Sequence, residues 1–182
     1  MYDNTTGANN VGVGNSALKA NTTAAGNTAI GAFCLNENTT GQSNVAVGFY
    51  AMKANTTAAN NAALGYSALR FNTTGASNTA VGYYALRANT TASNNTAVGY
   101  EALVANTTGT ANVAVGYEAL KTATTQNYNT AVGAGALYTS AAENGTAVGY
   151  YALVNNTTGA ENTALGRSAL QANTTGANNV AI

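Results

Sequence analysis

A chain of 182 residues carries six basic and six acidic side chains, no histidine, one cysteine and a hydrophobic content of 46 %, a length suited to one domain. Zero net charge with scattered cations offers a nucleic-acid backbone no electrostatic footprint, and the longest apolar runs fall far short of the roughly 20 residues that span a bilayer. Without histidine, the commonest general base and metal ligand are both missing.

From the first residues onward the chain is one short unit repeated. Gly14, Gly31, Gly48, Gly65, Gly82, Gly99, Gly116, Gly133, Gly149 and Gly166 stand 17 residues apart in eight intervals and 16 in the other. Self-similarity at so short a period marks a solenoid or fibre, in which each unit stacks only on its neighbours. Seventeen residues are too few for two helices and a turn, since helical repeats need roughly 33 or more. Asn-Thr-Thr and the recurring glycines are also poor helix formers.

Taken in chain order within a unit, the segment before each glycine, such as Thr79-Ala80-Val81, reads as a short strand, and the Ala85-Leu86 type of segment after it reads as a second. The expected fold is therefore all-β, a parallel β-solenoid of about ten coils with two strands per coil. Equivalent residues of successive coils then stack as ladders about 4.8 Å apart. The aliphatic residue before each glycine (Val47, Val81, Val98, Val115, Val132) and the leucine four positions after it (Leu69, Leu86, Leu103, Leu120) are assigned to the core ladder. The glycines take corners that need a positive φ or a close backbone approach. Two asparagine columns, exemplified by Asn78 and Asn89, tolerate left-handed backbone and bond their own turn, so they read as corner ladders. In the one short interval the core columns Val132, Leu137, Val148 and Leu153 persist, which predicts a shortened corner with strand register kept.

Strands that are apolar or small on both faces are usually covered on both, which predicts packing against sister chains, most simply in a homotrimer. Residues 1–182 read as a single repeat array. Both ends cut through the repeat and neither has a divergent capping unit, so the array is expected to be a piece of a longer fibre.

The side chains that carry chemistry are few. Glu101 and Glu118 share a column one coil apart, a spacing reminiscent of paired carboxylates in retaining glycosidases, yet on a repeated surface with no evident cleft; no catalytic or metal-binding residue is assigned, no cofactor is expected, and the chain is not expected to be an enzyme. Cys34 stands in an alanine column and reads as a small buried thiol. Aromatics after the glycines, Tyr66, Tyr83, Tyr84, Tyr100, Tyr117, Tyr150 and Tyr151, form a stripe that is either a structural stack or a flat surface for sugars and proteins. The threonine pairs supply a rival: Thr56, Thr73, Thr90 and Thr107 would make a regular hydroxyl face of the ice-binding kind, although neighbouring strand residues point oppositely and only one of each pair could lie on it.

Asn95-Thr96-Ala97-Val98-Gly99 and Asn44-Val45-Ala46-Val47-Gly48 resemble the head repeat of trimeric autotransporter adhesins, whose unit is a few residues shorter. The fuller pattern at Tyr83 to Thr91 and Tyr150 to Gly159 is similar to arrays in bacterial surface fibres and phage tail fibres. The resemblance spans essentially the whole chain. It implies a left-handed parallel β-roll with three chains side by side, on a bacterial surface or a virion, holding a binding tip away from its base. The partners it implies are sister chains and a host-surface glycan or protein, with no nucleic acid and no membrane insertion by this segment.

Overall fold

The computed structural model describes residues 3–182. Eleven strands, β1 (Val11–Val13), β2 (Thr28–Ile30), β3 (Val45–Val47), β4 (Ala62–Leu64), β5 (Thr79–Val81), β6 (Thr96–Val98), β7 (Val113–Val115), β8 (Thr130–Val132), β9 (Thr146–Val148), β10 (Thr163–Leu165) and β11 (Val180–Ala181), pair in sequence order as one parallel sheet. The register advances one unit per strand, for example Thr79↔Thr96, Ala80↔Ala97 and Val81↔Val98. The fold is a β-solenoid of about ten turns.

Each coil contains one strand rather than two. Leu18, Leu35, Met52 and the leucines below them sit at φ between +47° and +53°, and chain-reversing bonds bracket them: Ala85 N–H donates to Gly82 O (3.4 Å) and Asn89 N–H to Leu86 O (3.3 Å). Left-handed backbone costs a leucine about 1–2 kcal/mol. Burying its side chain, fully enclosed in every coil from Leu18 to Leu153, returns about 1.5–3 kcal/mol, so the tight turn is tolerated. The turn is still laddered to the next coil, with Leu86 N–H on Ala102 O (3.0 Å) and Ala88 N–H on Val104 O (3.1 Å). Every side of the coil thus satisfies its backbone against its neighbours.

The core has the opposite strand face from the one expected. The middle alanine of each strand, Ala46, Ala80, Ala97, Ala114 and Ala131 among them, is buried against the leucine column. The flanking residues point outward: Val47, Val81, Val98 and Val115 are half-buried and Val132 is exposed. Valines therefore do not belong to the core ladder, whereas Leu69, Leu86, Leu103 and Leu120 do. A 17-residue coil is narrow. Once the leucine enters from the turn, the space facing the strand admits a methyl group and not an isopropyl group.

Glycine closes the strand at the corner with φ between +126° and +138°. At Gly82 an added Cβ would lie 2.3 Å from Gly99 O, so the coils approach too closely there for any side chain. The two asparagine columns are buried ladders. Asn89 Nδ2 donates to Asn72 Oδ1 (2.8 Å) and to Ala92 O (3.0 Å), while Asn95 N–H donates to Asn78 Oδ1 (3.0 Å) and Asn95 Nδ2 to Gly109 O (2.9 Å). In the short interval the missing residue comes out of the threonine corner. Thr130↔Thr146, Ala131↔Ala147 and Val132↔Val148 stay in register, Leu137 and Leu153 stay buried, and Gly145 N–H takes over the bond to Asn129 Oδ1 (2.9 Å).

Candidate functional site

Two surfaces stand out. The first is the outer face of the sheet, where the first and third residues of each strand make two parallel columns. One is mostly threonine (Thr79, Thr96, Thr130, Thr146, Thr163) and the other aliphatic (Val81, Val98, Val115, Val132, Leu165). No strand residue is charged, and Val13, Ile30, Val45, Leu64 and Leu165 are all exposed by 41 % or more. The threonine face expected at Thr56, Thr73, Thr90 and Thr107 lies elsewhere, at a corner. Those residues are half-buried, and each hydroxyl donates to the carbonyl of the threonine (Thr73, Thr90, Thr107, Thr124) one coil on, at 3.0–3.2 Å. Their donors are spent on holding coils together.

The second surface is aromatic. Phe49, Tyr66, Tyr83, Tyr100 and Tyr117 stack in successive coils with centroids 5.2–5.6 Å apart and planes within 15° of parallel. The coil spacing sets this distance, and offset stacking at it adds about 0.5–1.5 kcal/mol per pair. Ring faces cover one another along the axis, leaving edges and hydroxyls outward. Tyr84 packs on Tyr83 at 4.1 Å, and hydrogen bonding with Tyr84 pushes the Tyr83 phenol up to about 12. The stack stops where Ala134 replaces the ring, and Tyr117 is accordingly 56 % exposed against 42 % for Tyr100. Tyr150 and Tyr151 form a separate pair beyond that gap, 4.1 Å apart.

The cations are less scattered than the sequence suggested. Lys19, Lys53, Arg70, Arg87 and Lys121, five of the six basic residues, occupy the single column directly after the Leu/Met ladder. Lys53 pairs with Glu37 at 2.9 Å. Lys121 bridges Glu101 (2.9 Å) and Glu118 (2.6 Å), so the two carboxylates neutralise a cation instead of facing each other across a substrate site. Hydrogen bonding to Lys121 holds Glu101 below its usual range, and the same two partners raise Lys121. Among the described residues, Arg70 and Arg87 have no such partner. Arg70 lies over Tyr50 (4.5 Å) and Phe71 (5.0 Å), and Arg87 over Phe71 (5.2 Å) and Tyr84 (4.7 Å). Aligning the sequence at the glycines would have shown this column; reading the charges in linear order hid it.

Cys34 is buried, with its thiol pushed up to about 12 by desolvation and donating to Ala46 O at 3.1 Å. It fills space. No protein-family model, curated protein or solved structure matches the chain.

Proposed function

We propose that the chain is a structural and adhesive fibre segment of a bacterial surface adhesin or phage tail fibre. In this reading it is a left-handed β-roll in which three chains pack side by side, a rigid spacer that also binds a host-surface glycan or protein at many weak sites along its flank. The observation that carries the reading is the uncharged outer sheet face, which runs from β1 to β11 without interruption. A parallel sheet with apolar and small residues on both sides is ordinarily covered on both, and sister chains with the same repeat would cover it in register. Ten coil spacings of about 4.8 Å make a spacer on the order of 50 Å long. The tyrosine edges on the flank then recur at every coil from Tyr66 to Tyr117, which suits multivalent attachment. The reading has no catalytic step, and Glu101 and Glu118 serve Lys121.

A glycan and host-surface binding panel tests it. The intact chain binds at least one host-surface ligand, and Tyr66→Ala/Tyr83→Ala/Tyr100→Ala reduces that binding; no ligand on a broad panel would defeat the adhesive part.

A second reading, ice binding, draws on the same sheet face, because its threonine and valine columns set hydroxyls and methyls on a regular grid. The fibre reading predicts no thermal hysteresis. A concentration-dependent hysteresis lost in Thr79→Tyr/Thr96→Tyr would replace it with the ice-binding one.

A further inference from the structure

Arg70 and Arg87 stand in adjacent coils at the centre of the basic column, with Lys53 one coil before them. Lys53 and Lys121 of the same column each meet a carboxylate. Among the described residues no carboxylate lies within 4.0 Å of either arginine, and the Nε atom of each is buried without a hydrogen-bond partner. What holds them is aromatic: Tyr50, Arg70, Phe71, Arg87 and Tyr84 form one continuous stack of rings and guanidinium groups with contacts of 4.5–5.2 Å. Contact with ring faces fixes and partly desolvates a guanidinium, yet leaves its in-plane N–H donors unused. Two such groups in adjacent coils, both packed against the Phe71 ring and unneutralised, suit bidentate acceptance by oxyanions.

We propose that the stack Tyr50–Arg70–Phe71–Arg87–Tyr84 is an anion subsite for an acidic polysaccharide, a glycan bearing carboxylate or sulfate groups. This rests on the adhesive reading above and gives the flank its ligand class. Carboxylate or sulfate accepts from the two guanidinium groups, and the tyrosine edges on either side offer hydroxyls to the sugar. A polysaccharide suits the site better than a nucleic acid. The uninterrupted run of cations covers three coils on a chain of zero net charge, whereas tight phosphate-backbone binding takes a long basic stripe.

The test is equilibrium binding of the intact chain to polygalacturonate, dextran sulfate, neutral dextran and a single-stranded DNA oligonucleotide, at low and physiological salt. The acidic polysaccharides bind and dextran binds at least tenfold more weakly; the polygalacturonate and dextran sulfate arms decide between carboxylate and sulfate. Arg70→Gln/Arg87→Gln weakens acidic binding by about tenfold or more. Lys19→Gln/Arg167→Gln removes the same charge elsewhere and changes it less than twofold. Arg70→Lys/Arg87→Lys keeps charge and fold but loses the fork, and falls in between. Equal losses in the two charge-matched pairs, binding indifferent to both arginines, no acidic binding at all, or tighter Arg-dependent DNA binding would each overturn the proposal. Binding of neutral glycans that ignores the arginines would overturn it while leaving the adhesive reading intact.

Discussion

Asn106 is the last member of an unbroken asparagine ladder, and its Oδ1 is buried without a partner. The reason lies one coil on. Ala123 occupies the place from which the next asparagine would donate, as Asn106 itself donates to Asn89 Oδ1 at 3.1 Å. Supplying that donor removes the desolvation penalty of an orphaned acceptor, so Ala123→Asn should stabilise the fold by about 1 kcal/mol. Deleting a rung has the opposite sign. Asn72→Ala strips Asn55 Oδ1 of its donor and Asn89 of its acceptor, and should cost about 2–3 kcal/mol. Urea midpoints of the two variants check both signs. The ladder itself was legible in the sequence, because asparagine at a corner bonds locally whatever the packing. Its buried depth was not, since a column of amides looks the same on paper whether it faces water or its own copies.

At the scale of the element, a three-residue strand fixes which residues share a face and leaves open which face turns inward. Thr79 and Val81 oppose Ala80 by simple alternation, and the preference of valine for cores pointed to the wrong side. The deciding quantity, the width left between strand and turn, depends on the leucine entering from the far side of the coil. Ala80→Val should therefore overpack the core and cost about 1–3 kcal/mol, whereas Val81→Thr should leave the stability of an isolated chain within about 0.5 kcal/mol; thermal melts of the pair read this directly. The second expected strand failed for a related reason, because leucine at φ near +50° is chosen by burial against its local preference. The Glu101–Lys121–Glu118 bridge adds a pH-dependent contribution. Glu101 titrates below its usual value, so its contribution is present above about pH 4.5 and fades as pH falls through the lowered value. Lys121 is raised, so its contribution is present below its usual value and is lost only at strongly alkaline pH. Glu101→Gln should cost about 0.2–1 kcal/mol at neutral pH and progressively less as pH falls below the usual carboxylate range, measured as the difference in melting temperature across the range.

At the scale of the whole molecule the period of the glycines was enough to specify a parallel solenoid, because repetition at one coil length leaves few ways to stack. The aromatic stripe was equally visible by its spacing. The basic column and the outward valines became apparent only when coils were laid over one another. Together they divide the surface into a long uncharged sheet and a flank of rings and cations. We propose the sheet for sister chains, and the tyrosine edges and the Arg70–Arg87 stack for ligand. Charging the sheet should separate them: Val81→Glu/Val98→Glu places carboxylates in the proposed shared interface and should dissociate the assembly while leaving each coil folded, as seen by scattering and circular dichroism together.

The most direct measurement is the mass of the unmodified chain by sedimentation equilibrium at micromolar concentration. Three side-by-side chains give three times 18.1 kDa, unchanged on dilution across that range. A folded species of 18.1 kDa, stable with its threonine and valine columns in water, would contradict the shared-sheet fibre.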